Sequence, residues 1–158
     1  MGSRSSRHRR FLNGLTALLA LELAALPPAA IFAVTGGAGL LAHYAIAAAK
    51  RKGLVVIADA KAEEIDLVRS YGATVVVERS DDFAGAVRRE HPEGVDALLD
   101  IVLLAEKSFG AIKDGGIYLP VRGWNDKLRV AGQFPPEQVG EAQRMLAGGL
   151  RGRPVVPF

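Results

Sequence analysis

The sequence predicts an α/β fold: a Rossmann-like, doubly wound parallel sheet of about five strands, followed by a C-terminal helix and short strands. Three observations carry this reading. The apolar runs are short and continuous rather than alternating, a helix-forming segment separates each from the next, and a glycine-rich turn follows the first. Strands buried on both faces read as uninterrupted apolar runs, and parallel neighbours need a crossover long enough to hold a helix.

The first element is a helix. From Phe11 to Leu26 the chain is largely apolar, and Leu15, Leu18, Leu19, Leu23 and Leu26 fall on or near one stripe, expected to face the core. Met1 to Ala30 also imitates a secretory leader, with a positive start, an apolar stretch and small residues at Ala29 and Ala30. Asn13 and Glu22 interrupt that stretch, so a packed helix is the reading adopted and a cleaved leader the alternative. At about 16 residues the run is shorter than the roughly 20 a bilayer span requires.

Pro27 and Pro28 stop the helix, and Ile31 to Val34 reads as a buried strand. After Thr35-Gly36-Gly37-Ala38-Gly39, the Ala-rich segment Leu40 to Lys52 reads as a helix with basic residues in its last turn and Gly53 as its cap. The strand Leu54 to Ile57 ends at Ala58-Asp59, and a helix over Glu63 to Ser70 ends before Gly72. The cycle repeats with a strand at Thr74 to Val77, a helix from Asp81 or Asp82 to Arg89, and a strand at Ala97 to Leu99 ending at Asp100. A helix over Glu106 to Lys113, a turn at Asp114-Gly115-Gly116 and a strand at Ile117 to Val121 complete the run. Beyond Gly123, the sequence predicts a short strand at Leu128 to Ala131, a helix from Pro135 to about Leu146 and a terminal strand around Arg153 to Val156.

Composition bounds the function. The chain has 158 residues, 49% hydrophobic and 23% charged, which suits one ordinary globular core. It has no cysteine, which removes disulfides, a thiol nucleophile and thiolate-ligated zinc. The net charge of +3 belongs to the start: four of the 20 basic residues and none of the 17 acids lie in the first ten positions, leaving 16 against 17. The basic residues form no folded patch, so nucleic acid is not an expected partner, and no membrane is expected either. Three dispersed histidines offer no metal site, and neither a G-x-S-x-G elbow nor a Walker loop is present. His43 and Tyr44 are read as helix-packing residues.

The chemistry-bearing motif is Gly37-Ala38-Gly39-Leu40-Leu41-Ala42, which fits G-x-G-x-x-G/A and lies between a strand and a helix, preceded by Gly36. The glycines permit a tight turn and a close approach of backbone to a pyrophosphate, and the helix N-terminus supplies free N–H groups to it. Asp59, 20 residues past Gly39 at the second strand's tip, can accept from ribose hydroxyls, which favours NAD slightly over NADP. Its competing role is a turn or cap residue. Lys61 can neutralise a 2′-phosphate or stand as a solvated loop lysine. The loops after the fourth and fifth strands, at Ile101 and at Val121-Arg122, meet the other parts of the ligand, Arg122 as a phosphate contact or a surface arginine.

With these motifs the chain resembles the coenzyme-binding half of the medium-chain dehydrogenase/reductase superfamily, and within it the zinc-independent, quinone-oxidoreductase-like branch. The resemblance runs from about Asn13 to Phe158 and rests on Gly14-Leu15-Thr16-Ala17, Val34 to Gly39, Lys50-Arg51-Lys52-Gly53, Tyr71-Gly72-Ala73, Asp114-Gly115-Gly116 and Gly148 to Arg153. It implies an NAD(P)(H)-dependent oxidoreductase moving hydride to or from a carbonyl, enone or quinone, in the cytoplasm, with a homodimer as the candidate assembly. It implies three parts: a basic flexible tail over 1–12, a dinucleotide-binding domain over 13–123 and a remnant of the closing segment over 124–158. The family's substrate domain, which would precede this chain, is absent, and after Trp124 to Lys127 a strand and a helix of the family are missing too. Where the zinc-dependent branch has a cysteine ligand near the entry helix, this chain has Asn13 and Gly14, so no zinc is expected and no catalytic residue is assigned. A non-catalytic, dinucleotide-binding regulatory or partner subunit is the alternative.

Overall fold

The computed structural model describes residues 4–121, 130–133 and 153–155. The chain divides into two units, Met1–Val121 and Arg122–Phe158.

The first unit opens with α1 (Arg4–Ala24), followed by β1 (Ile31–Val34), α2 (Leu40–Arg51) and β2 (Val55–Ala60). A single 3₁₀ turn (Ala62–Glu64) leads into α3 (Ile65–Tyr71), β3 (Val75–Glu78), α4 (Phe83–Glu90), β4 (Val95–Asp100), α5 (Glu106–Phe109) and β5 (Ile112–Pro120). All five strands are parallel, in the order β3-β2-β1-β4-β5. The expected doubly wound sheet is therefore present. Both faces are covered: Phe32, Val34, Val56, Ala58, Ala97 and Leu99 pack towards α1 and α2, while Ala33, Ile57, Val77 and Leu98 pack with Phe83, Ala86 and Val87 of α4. The period-2 alternation along each strand sends successive side chains to opposite layers, which is why the strands read as continuous apolar runs.

Three boundaries differ from expectation. Helix α1 starts at Arg4, inside the segment read as a tail. Its core-facing side is also not the leucine stripe. Ala17, Ala20, Leu21 and Ala24 are buried, whereas Leu15, Leu18 and Leu19 are each about half exposed. Small side chains let α1 approach the Ala-rich α2 closely, and that contact selects the face. Finally, the helix expected over Glu106 to Lys113 stops at Phe109, and Asp114-Gly115-Gly116 lies within β5. Arg88 explains the stop. Its guanidinium donates to the carbonyls of Pro92, Gly110 and Ile112, and Val95 N–H donates to Ala111, so this backbone is tied to α4 and β4. The extra residues are absorbed by a register shift between the pairs Val95↔Ile112 and Ala97↔Ile117, with Gly115 at φ +76°.

In the second unit β6 (Val130–Gln133) and β7 (Arg153–Val155) pair in parallel, with Gly132 opposite Pro154. The helix expected from Pro135 to Leu146 lies outside the described residues, as does Arg122.

Candidate dinucleotide site

The chain runs outward from β1 in both directions, to β2 and β3 on one side and to β4 and β5 on the other. At this switch point the loops after β1 and β4 border the region outside the strand ends, the crevice position at which open sheets of this kind bind ligands.

The wall formed by the β1–α2 loop begins at Thr35 and turns at Gly36, whose φ of +69° suits glycine and whose missing Cβ would lie 2.7 Å from Val102 Cγ1. Gly37 serves a different end: a Cβ there would sit 2.5 Å from the Asp59 carbonyl oxygen, so the loop can lie on β2 only without a side chain. Gly39 is open except towards the Gly36 carbonyl oxygen, which its virtual Cβ would meet tightly at 3.3 Å. It forms the extended N-cap of α2 with no side-chain cap. The amides of Ala38, Leu40 and Leu41 donate to no acceptor among the described residues, and they gather at the positive end of α2. Ala42 is fully buried and lets α2 settle on the sheet, Leu41 is nearly buried, and Leu40 is 44% exposed.

Asp59 sits at the end of the second strand as expected, the last residue but one of β2, and is only 2% exposed. One carboxylate oxygen accepts from Gly36 N–H at 2.5 Å, the other accepts from Arg79 Nε at 2.8 Å, and its main-chain carbonyl accepts from Gly37 N–H. The carboxylate thus ties the loop to β2 and to Arg79. Lys61 is exposed at the tip of β2, as a ligand-facing or a solvated lysine would be.

On the other side of β1, Asp100 is fully buried at the end of β4. It accepts from Thr35 Oγ1 (2.7 Å), Tyr118 OH (2.8 Å), Leu104 N–H (3.1 Å) and Ala105 N–H (2.9 Å). Thr35 Oγ1 in turn accepts from the amides of Ile101 and Val102, so one network fixes both walls of the crevice. Within the β4–α5 loop Leu103 and Ala105 have φ of +59° and +48°, which is costly for residues with a Cβ and is sustained by the Asp100 bonds. Val102 and Leu103 remain about half exposed, and Val121 N–H donates to the Asp100 carbonyl. His43 lies outside this arrangement, stacked on Tyr71 with ring centroids 4.1 Å apart.

Sequence reasoning passed over Arg79, Thr35, Asp100 and Tyr118 as site residues. Asp100 left a signal, an acid ending an apolar strand as Asp59 does, but Arg79 and Tyr118 reach the site only through the folding of distant segments.

No family model and no curated protein matches the sequence. Solved structures do resemble the fold. A probable oxidoreductase from Mycobacterium abscessus superimposes with a TM-score of 0.65 at 21% identity, covering 92% of this chain and 60% of that one. A mycobacterial protein complexed with NADPH gives 0.63 at 21%, covering 87% and 59%. The quinone oxidoreductase of Coxiella burnetii gives 0.57 at 21%, covering 92% and 58%. The chain therefore spans about three-fifths of the length of these proteins, and the likeness establishes a shared fold.

Proposed function

We propose that this chain is the dinucleotide-binding part of a zinc-independent oxidoreductase of the medium-chain dehydrogenase/reductase type, moving hydride between NADP(H) and a carbonyl, enone or quinone. The carrying observation is the set of unpaired amides at Ala38, Leu40 and Leu41, beside the open side of Gly39 and at the switch point of the sheet. Those N–H groups and the α2 dipole suit a diphosphate. When bound, the nicotinamide supplies the hydride chemistry. The chain's own work is to bind, orient and shield it: Asp59 and Arg79 hold the loop from below, and Asp100 with Thr35 sets the opposite wall. The preference for NADP(H) reverses the lean towards NAD, because Asp59 faces inward while Lys61 is free to meet a 2′-phosphate. The NADPH-bound neighbour is consistent with that choice.

The alternative, a dinucleotide-binding subunit without catalysis, draws on a specific feature. Asp100, Thr35 and Tyr118, the proton-carrying groups nearest the crevice, are tied into one another.

Calorimetric titration tests the site. NADPH is expected to bind at least several-fold more tightly than NADH, and Gly39→Val to weaken both about tenfold or more with the thermal midpoint unchanged, since its extended backbone accepts valine. Gly39→Val binding like the parent removes the loop from the argument. Hydride transfer to an enone or quinone panel separates the enzyme from the binding subunit.

A further inference from the structure

We infer that α1 docks on an anionic membrane surface, lying along it rather than crossing it. Leu12, Leu15, Leu18 and Leu19 are 53%, 49%, 50% and 47% exposed and occupy one side of the helix at i, i+3, i+6 and i+7, opposite the buried side that meets the core. The same helix begins with Arg4, Arg7, Arg9 and Arg10, and no acid precedes Glu22 in the sequence. Glu22 is itself paired with Lys52 at 2.7 Å. The exposed leucines and the four arginines therefore share one 21-residue helix, in a stretch of sequence without an acid before Glu22.

Charge complementarity selects the occupant. A lipid bilayer with acidic headgroups offers phosphate anions and hydrocarbon side by side, which is what this sequence of features requires along one axis. A second copy of the chain would supply leucines for the stripe but only more arginines for the basic turns. No helix among the described residues is long and apolar enough to cross a membrane, so the contact is peripheral. This revises the expectation that no membrane is involved.

The test uses the full chain and flotation with vesicles of phosphatidylcholine alone or with about one-third phosphatidylglycerol. Binding is expected to be about tenfold stronger to the acidic vesicles and to weaken with added salt. Leu15→Gln with Leu18→Gln is expected to lower it about tenfold at an unchanged circular-dichroism melt, and Arg4→Gln with Arg7→Gln to reduce the preference for acidic lipid. Should the leucine variant lose stability, the arginine variant, away from the core-facing residues, carries the test alone. Equal, weak binding to both vesicle types overturns the proposal. So does a leucine-dependent dimer in sedimentation that does not float with lipid.

Discussion

Asp59, one residue from the end of β2, and Asp100, the last residue of β4, lie on the two strands that flank β1, and each holds a loop in place by a different means. Asp59 answers its charge with a cation: Arg79 reaches in from beyond β3 with a side chain 37% exposed, while the second carboxylate oxygen caps Gly36. Among the described residues Asp100 has no counter-ion. Its charge is spread over two hydroxyls and two amides, all neutral. Both arrangements satisfy a buried carboxylate, because hydrogen bonds to the ionised form and a nearby opposite charge each stabilise it. The difference teaches which wall of the crevice is adjustable. The β1–α2 loop depends on a partly solvated ion pair, open to salt and to substitution, whereas the β4–α5 loop hangs on four neutral donors around a carboxylate that is itself fully buried.

The largest effect should come from breaking the locked side. Asp100→Ala leaves two hydroxyls and two amides without their acceptor and releases the strained backbone at Leu103 and Ala105. Denaturant titration is expected to record a loss of about 3–5 kcal/mol. A loss below about 1 kcal/mol would mean that water replaces the carboxylate freely and that the two sides do not differ.

The adjustable side should respond less, and in a way that can be rescued. Arg79→Ala strands a carboxylate that is 2% exposed, at an expected cost of about 1–3 kcal/mol with weakened NADPH binding. Combining it with Asp59→Asn should recover part of that cost, because the uncompensated charge is gone. Additive losses in the double-mutant cycle would show that the pair does not act as a unit.

The smallest effect lies at the opposite, N-terminal end of the strands. Burial raises the Asp96 pKa, but Ile31 N–H and the Lys113 ammonium, both bonded to that carboxylate, outweigh it and hold the group below the ordinary aspartate range. A lowered pKa contributes stability that is complete above about pH 4 and fades as pH falls through the shifted value. Thermal melts between about pH 2 and 5 should therefore show the parent converging on Asp96→Asn at the acid end. A constant gap between the two across that range would assign the contribution to packing instead.

Much of this molecule was legible from local pattern. Apolar runs four to six residues long with helices between them specify a parallel sheet wherever they occur. Gly37-Ala38-Gly39 placed after such a run marks the turn, although the contact that requires glycine at 37, the Asp59 carbonyl, comes from the neighbouring strand. The α2 boundaries were read closely from a glycine before and Lys50, Arg51 and Gly53 after.

What the sequence by itself determined is thus the order of elements and the position of the loop, since both follow from periodicity and from backbone sterics a few residues long. Tertiary structure alone decided where Asp59 points, because its partners Gly36 and Arg79 lie 23 and 20 residues away. It also decided where α5 stops, through Arg88, and which side of α1 meets the core. An apolar helix with leucine on one side and alanine on the other has two faces it could bury. The Ala-rich surface of α2 chose the alanines, since helices with small contact residues pack closer, and left the leucines outside.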